Sequence, residues 1–161
     1  MTAPAIDWAA PEDAPALAPV MRALYAHDVP DAPAPTETAL QDHLSHLLDP
    51  ATPHRLVVAR DADGRVLGLA AVGLFVSVSD PRPERWHQME LKELFVLEEA
   101  RSAGIGAALM AWIEAEARRI GVCRIDWHVK RDNHRGIAFY ERFGAHVVET
   151  RLSMRKVLSK H

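Results

Sequence analysis

The sequence has few of the features that mark secreted, membrane-spanning or nucleic-acid-binding proteins. It has one cysteine, Cys123, so no disulfide forms within the chain, and this agrees with a reducing, cytoplasmic setting. No apolar run approaches the roughly 20 residues of a membrane span, and the N-terminus lacks the basic and apolar regions of a secretory signal. A net charge of -3 gives no basic surface for a nucleic acid. The composition therefore predicts a cytoplasmic protein that binds neither nucleic acid nor membrane.

The length and composition are those of one globular domain. The 161 residues are 48% hydrophobic and 25% charged, and they contain no internal repeat. We therefore expect a single domain over residues 1–161. The nine histidines raise the question of a metal site. No cluster of histidines and carboxylates with ligand spacing completes one, so we expect no bound metal.

Hydrophobic periodicity predicts strands and helices in the order β-α-α-β-β-β-α-β-α-β-β. One strand-helix-strand crossover, residues 88–129, is expected to be parallel and right-handed, whereas hairpins dominate elsewhere. This order predicts an α/β (mixed α+β) fold. Its centre is a mixed, mostly antiparallel, twisted sheet of six to seven strands with helices on both faces. The segments that matter below are a first strand at 5–8, a helix capped by Thr36, a turn at Asp63-Gly64, a helix at 104–120, a strand at 123–129 and one or two final strands in 145–158.

The segment RSAGIGAALM, residues 101–110, places two glycines where a long helix begins. Free N–H groups and the helix dipole make such a turn a site for an anion. A dinucleotide fingerprint needs glycine where Leu109 stands, and a Walker loop needs a lysine soon after Gly106, so both are excluded. The alternative interpretation is that the glycines only let the helix pack closely on the sheet.

Two motifs together resemble the acetyl-CoA-binding signatures of the GNAT superfamily of N-acetyltransferases. The R/Q-x-x-G-x-G/A motif is present as RSAGIG, residues 101–106. One strand later, NHRGIAFYERFGA (133–145) matches the N-x-x-A-x-x-F-Y-x-x-x-G-A pattern, with Gly136 in place of the usual alanine. IDWAAPEDAPAL near the N-terminus also looks like the opening strand and helix of the family. The resemblance therefore spans nearly the whole chain.

The resemblance implies a GNAT-like fold with acetyl-CoA as the cofactor. Backbone N–H groups of residues 101–107 would hold the pyrophosphate, and the pantetheine arm would pair with the main chain of residues 94–97. Asn133 would hydrogen-bond the cofactor or orient the next helix. The cofactor-binding residues implied in this way are Leu94, Phe95, Val96, Leu97, Arg101, Ser102, Ala103, Gly104, Ile105, Gly106, Ala107, Asn133 and Tyr140.

The chemistry of acetyl transfer requires proton transfers. An alkyl amine with a pKa near 10.4 must lose a proton before it attacks a thioester, and the departing thiolate benefits from a donor. Tyr140 matches the acid of the family. Glu93 and Glu90 are the candidate bases, and a water-relayed base is an alternative. A regular strand places these two glutamates on opposite faces, although a bulge, which the family often has here, would change that.

Each candidate also has a structural interpretation: Tyr140 as a core aromatic beside Phe139, and each glutamate as a solvated strand residue. The sequence around Glu93, KELFV, has some similarity to diamine acetyltransferases, which commonly carry a glutamate where this chain has Lys92. That difference weakens the case for a polyamine substrate.

The sequence thus predicts an N-acetyltransferase that acts on a primary amine of a small molecule by direct attack in a ternary complex. Two alternatives stay open: acetylation of a protein or peptide, and a non-catalytic acyl-CoA-binding module. Members of the family often form homodimers, so the resemblance is compatible with a homodimer. The sequence does not choose the acceptor.

Overall fold

The computed structural model describes residues 3–158. Within them the chain forms two compact units, one up to His128 and one from Val129 onwards. The first unit contains β1 (Ala5–Trp8), α1 (Ala14–Asp28), α2 (Glu37–Leu47), β2 (His54–Arg60), β3 (Val66–Val76), β4 (His87–Val96), α3 (Ile105–Arg119) and β5 (Val122–Trp127). The second contains α4 (His134–Glu141). Single 3-10 turns lie at Pro11–Asp13, Pro83–Arg85 and Glu98–Ala100.

The sheet of the first unit has five strands in the order β1-β2-β3-β4-β5. The first four strands pair antiparallel with their neighbours. β5 pairs parallel with β4, and α3 is the connection between them. The prediction of a mixed, mostly antiparallel sheet with one parallel crossover is confirmed.

Helices cover both faces of this sheet. The ring of Trp8 meets that of Trp112 on α3 edge to face, at 5.1 Å between centroids. The ring of His27, at the end of α1, lies 5.9 Å from that of Phe95. The register across the sheet aligns Trp8, Val57, Ala70 and Leu94. Because Phe95 follows Leu94 along β4, its side chain lies on the other face, and α1 and α3 therefore pack on opposite faces as predicted.

The predicted number of strands, six to seven, is wrong for the described residues. Residues 145–158 contain no strand, and β5 ends at Trp127 although the pattern continues to residue 129. Alternating apolar residues do occur in this segment, but Leu152 and Met154 among them are exposed. Alternation indicates which side chains share a face of a strand, and it does not supply the neighbouring strand whose hydrogen bonds are needed to form one.

The core lies between the sheet and the helices on its two faces. β2 and β3 carry consecutive buried residues, because helices cover both of their faces. Each fully buried aliphatic side chain contributes about 1.5–3 kcal/mol. The largest of them are Leu17, Val20, Leu44, Val57, Val58, Val66, Leu69, Met89, Leu109, Met110 and Ile113. No helix of residues 3–158 combines the length and the apolar character needed to cross a membrane.

Local sequence signals set several element boundaries. Thr36 caps α2, and its hydroxyl accepts a hydrogen bond from the Ala39 N–H at 3.2 Å. In the hairpin between β2 and β3, Gly64 has a φ of +81°, as the Asp63-Gly64 pair predicts. The Asp61 carboxylate accepts from the N–H of Asp63 at 3.0 Å and of Arg65 at 2.9 Å, which fixes the turn.

The second unit is organised around α4. The Asn133 side chain caps this helix by accepting from the Gly136 N–H at 2.9 Å. A β-carbon on Gly136 would lie 2.5 Å from the Asn133 amide nitrogen, so glycine leaves room for the cap. Phe139 contacts both Tyr140 and Phe143, each at 5.2 Å between ring centroids.

Candidate active site

A bulge in β4 determines which side chains of that strand share a face. Glu93 stands opposite Ala71 of β3, and Leu91 stands opposite Val72. Lys92 is therefore an extra residue with no partner across the ladder, which is the definition of a β-bulge. The simple alternation that separates Glu90 from Glu93 fails at this point.

Glu90 and Glu93 consequently lie on the same face of the sheet. Their cross-strand partners are Gly73 and Ala71, which are two residues apart in β3 and so point the same way. The Phe95 side chain points to the same face, because its partner in β3, Leu69, is two residues from Ala71. This is the face that α1 covers. Opposite faces are expected only for a regular strand, and β4 is not regular here: the bulge, the alternative that the sequence left open, places both glutamates on one face.

Glu93 is half-buried at the end of α1. Its carboxylate accepts from the Leu94 N–H at 3.1 Å. Burial raises the pKa of Glu93 above its ordinary value of 4.5, and the negative charge of Asp28 adds to the rise. The Leu94 N–H and His27 act in the opposite direction and lower this pKa, but burial prevails. A carboxylate with a raised pKa is a stronger base than an ordinary one.

Glu90 has a different environment because it is paired. The Lys92 ammonium lies 3.0 Å from Glu90 Oε1, and His128 Nδ1 lies 3.8 Å from the same oxygen. Asp126 on β5 stands beside Glu90 in the parallel register, and it accepts from Arg124 Nε at 2.7 Å. Of the three carboxylates on this face of β4 and β5, Glu90 and Asp126 are thus paired with protein cations, whereas Glu93 is half-buried and its pKa is raised by that burial.

The last residues of β4 form an open edge within the first unit. The parallel register with β5 reaches only Leu91 and Trp127. The Leu97 N–H donates to the Leu67 carbonyl at 2.9 Å, so Leu94 and Val96 direct their own main-chain groups away from β3. Two side chains approach this edge: Glu93 accepts from the Leu94 N–H, and Arg101 Nε donates to the Val96 carbonyl at 3.1 Å.

The loop between β4 and α3 has an unusual backbone. Gly104, the N-cap residue of α3, has a φ of +79°, and Ser102 has a φ of +66°. A positive φ costs roughly 1–2 kcal/mol for a residue with a β-carbon, so its occurrence at Ser102 is a sign of a functional constraint. No side chain of the described residues caps α3. The first hydrogen bond within the helix runs from the Ala108 N–H to the Gly104 carbonyl at 2.9 Å.

This turn fits an anion. The N–H groups that precede the first intrahelical bond, those of residues 105–107, lie where the helix dipole is positive. No described atom lies within 4 Å of the place where a β-carbon on Gly104 would sit, so close packing against the protein does not explain this glycine. The helix-packing interpretation therefore fails at Gly104.

The predicted site residues divide between the two units. The first unit brings together Glu90, Glu93, the edge at 94–97 and the loop at 101–107. Asn133 and Tyr140 belong to the second unit, where Asn133 caps α4 and Tyr140 packs edge to face on Phe139. Sequence reasoning missed the contribution of His27, because no motif links the end of α1 to β4.

A large groove of the described surface lies elsewhere. It has a volume of about 700 Å³ and runs between the first turns of α1 and the length of α2. None of its lining residues belongs to β4 or to the loop before α3. Residues 3–158 also contain no group of three or more histidine, cysteine, aspartate or glutamate side chains that could hold a metal ion. The carboxylates of β4 and the adjacent turn before α3, rather than the size of a groove, are therefore the reason for placing the candidate site at β4.

Comparison with known families identifies the class of the protein. Residues 21–145 match the model of the acetyltransferase (GNAT) family. The chain belongs to this family and is an acyltransferase. The enzymes of the family use acetyl-CoA as co-substrate. No curated protein matches the chain.

Solved structures share the fold over nearly the full length of the chain. An integron cassette protein from the mobile metagenome of V. cholerae is 26% identical, with a TM-score of 0.85 and coverage of 98% of this chain and 94% of that one. An aminoglycoside acetyltransferase from an uncultured soil metagenomic sample is 16% identical, with a TM-score of 0.77 and 97% coverage of both chains. A ribosomal-protein-alanine N-acetyltransferase from Brucella melitensis biovar Abortus is 20% identical, with a TM-score of 0.75 and coverage of 96% and 100%.

Proposed function

We propose that the protein transfers the acetyl group of acetyl-CoA to a primary amine of a small molecule, by direct attack in a ternary complex. The observation that carries the proposal is the position of Glu93. It is a half-buried carboxylate with a raised pKa, on the same strand that leads into the anion-binding turn before α3. A base and an anion site at one strand end are what amine acetylation from a phosphate-bearing donor requires.

Glu93 is the base in this proposal, and Glu90 is not. An acceptor amine arrives mostly as an ammonium ion, because its pKa is near 10.4. Glu93 accepts the proton and leaves the amine nitrogen with a free electron pair. Glu90 is a weaker candidate since its carboxylate is already held by the Lys92 ammonium at 3.0 Å.

The donor site uses main-chain groups. When bound, acetyl-CoA supplies a thioester whose C–S bond breaks as the new amide bond forms. The N–H groups of the loop and first turn at 101–107 would hold its pyrophosphate, and the main-chain groups that Leu94 and Val96 direct away from β3 would pair with the amides of its pantetheine arm. Tyr140 donates its hydroxyl proton to the departing sulfur, as the family motif implies, and Asn133 orients α4 through its cap.

The half-burial of Glu93 beneath the end of α1 favours a compact acceptor over a protein chain. The solved structures that share the fold include enzymes named for each acceptor type, aminoglycosides and a ribosomal protein. At 16% and 20% identity they establish only the fold. We also propose that residues 1–161 act as one catalytic domain, because the family match includes residues of both units. A homodimer and a cytoplasmic location stay predictions.

The experiment is a free-thiol release assay with acetyl-CoA over a panel of polyamines, simple alkylamines, amino acids, aminoglycosides and peptides. We expect thiol release with one or more small amines, and loss of that release in Glu93→Gln. Release with peptides alone would instead identify a protein acetyltransferase. Measurable acetyl-CoA binding with no release for any amine would identify a non-catalytic module and overturn the proposal.

A further inference from the structure

Three carboxylates share one face of β4 and β5 in the first unit. They are Glu90 and Glu93, which the bulge brings to the same side, and Asp126, which stands beside Glu90 in the parallel register. Such a row of acidic groups is suited to bind an acceptor with more than one positive charge. The side chains around the row decide whether it does so.

Protein cations occupy two of the three positions. The Lys92 ammonium lies 3.0 Å from Glu90 Oε1, and the ring nitrogen His128 Nδ1 lies 3.8 Å from the same oxygen. Arg124 binds Asp126 at 2.7 Å and also donates to the Gln88 side chain at 2.9 Å. In the described part of the chain Glu93 forms no ion pair and accepts only from the Leu94 N–H.

The spacing of the two glutamates matches the length of a short diamine. Glu90 and Glu93 stand opposite residues two apart in β3, which places their backbone positions roughly 7 Å apart along the strand. A chain of four or five carbons between two amines spans a comparable distance. An amine that reacts beside Glu93 would therefore bring a second ammonium of such a diamine to Glu90.

The bulge explains how Lys92 reaches this position. As the unpaired residue of β4, Lys92 is free of the alternation that the ladder imposes, and its side chain is 52% exposed while that of Glu90 is only 27% exposed. The lysine is thus the more accessible partner of the pair. Its ammonium already binds the carboxylate to which the second ammonium of a diamine would bind.

We propose that Lys92 determines acceptor specificity by neutralising Glu90, so that the site selects acceptors with one amine and disfavours diamines. This inference rests on the proposed function. A second ammonium at this position gains no anion and meets the like charge of Lys92, and both effects oppose binding. Lys92 acts on acceptor choice through Glu90 and takes no part in the transfer step.

The test compares n-butylamine with 1,4-diaminobutane as acceptors, since they differ by one amine at equal chain length. In Lys92→Gln we expect the ratio of kcat/KM for the diamine to that for the monoamine to rise about threefold or more, the size of one partly exposed ion pair. The double variant Lys92→Gln with Glu90→Gln should return the ratio to that of the wild type. Arg118→Gln removes an equal charge from α3, on the other face of the sheet, and should leave the ratio unchanged.

The outcomes separate this inference from the proposed function. Thiol release with other amines, combined with an unchanged diamine ratio or no diamine transfer in Lys92→Gln, overturns the role of Lys92 alone. An equal rise in Arg118→Gln also overturns it, because the effect is then one of net charge. No release with any amine of the wider panel overturns the proposed function itself. Circular dichroism of each variant checks that the substitutions leave the fold intact.

Discussion

Glu90 and Glu93 of β4 lie on one face of the sheet although they are three positions apart in sequence, because Lys92 forms a bulge between them. The two carboxylates differ in environment as well as in position. Burial raises the pKa of Glu93, whereas Glu90 is held by Lys92. This difference is the reason we propose Glu93 rather than Glu90 as the base, and it leads to the first prediction.

Glu93→Gln should lower kcat by about 10²- to 10⁴-fold, the usual contribution of a general base. In the wild type, activity should fall as the pH drops through the raised pKa of Glu93, above the ordinary 4.5, because protonation removes the base. The measurement is kcat/KM against pH, and the limb assigned to Glu93 should be absent in the variant. An unchanged acid limb in Glu93→Gln would remove Glu93 from the role of base.

Glu93→Gln should also affect the stability of the fold. A carboxyl group whose pKa is higher in the folded than in the unfolded state favours folding more as the pH falls through the folded pKa. At neutral pH the charged Glu93 is therefore a cost to the fold, and an uncharged glutamine side chain at this position would remove that cost. Glu93→Gln should have a Tm at pH 7 no lower than that of the wild type, measured by thermal denaturation. A clearly lower Tm would indicate that Glu93 has a structural role instead.

Gly104→Ala should weaken acetyl-CoA binding, and Gly64→Ala is its matched control. The two glycines have φ values of +79° and +81°, and no described atom is near either missing β-carbon. Each substitution should destabilise the fold by about 1–2 kcal/mol, the cost of a left-handed conformation for alanine. Only Gly104→Ala also puts a methyl group at the anion turn. Calorimetric titration with acetyl-CoA should show a weaker Kd for it alone, and equal losses of affinity in the two variants would argue against the anion site.

Tyr140→Phe should lower kcat at least about tenfold with little change in the Kd of acetyl-CoA, because it removes a proton donor and keeps the ring. The ring contact with Phe139 does not need the hydroxyl. Tyr25→Phe is the control: it loses the hydrogen bond from the Tyr25 hydroxyl to the Pro33 carbonyl at 3.2 Å without removing the proposed acid. Single-turnover thiol release separates the two variants, and a rate in Tyr140→Phe equal to that of the wild type would exclude Tyr140 as the acid.

Asp13→Asn should destabilise the fold by about 1–2 kcal/mol, between the values for exposed and buried ion pairs. Asp13 lies 2.6 Å from Arg60, and both side chains are about one fifth exposed. Burial acts to raise the pKa of Asp13, but hydrogen bonds from Arg60 and the Ala10 N–H outweigh it, so this pKa lies below 3.8. The stabilisation is therefore present above the unfolded pKa and is lost as the pH falls through the folded one.

Urea denaturation of the wild type and Asp13→Asn at several pH values checks this. The difference between the two free energies of unfolding should begin to shrink below about pH 4, where the carboxyl becomes protonated in the unfolded chain, and should vanish below the folded pKa. Glu99→Gln removes a similar but well-exposed pair with Arg65 and should have no measurable effect. A difference in the free energy of unfolding that persists in acid would show that the charge of Asp13 is not the cause of the destabilisation.

Much of the fold follows from local sequence patterns. The bounds of β1, the Thr36 cap and the turn at Gly64 were all predictable, because each depends on residues within a few positions of one another. The glycine turn before α3 was predictable for the same reason. Alternation in 145–158 gave a wrong prediction of strands, since a strand also needs a partner that local pattern does not specify.

The candidate site was less predictable than the fold. The sequence offered Glu90 and Glu93 as equal candidates, and only the register shift and the Lys92 contact distinguish them. A one-residue bulge leaves no mark in hydrophobic periodicity, because it changes the parity of a strand without changing its composition. The nearness of Asp28 to Glu93 depends on how α1 packs, which is a tertiary property.

The bulge at Lys92 also couples formation of the core to formation of the candidate site. If β4 paired with β3 without a bulge, the residues of β4 after Lys92 would shift by one position relative to β3. The number of residues in strands would be almost the same. Glu93 and Phe95 would then turn towards α3, and a polar side chain would enter the apolar layer. Because burial of one face specifies the register of a strand, this pairing is disfavoured. The pairing that forms the core therefore also places the proposed base, and we expect the number of ligand-binding sites found by titration to equal the amount of folded chain.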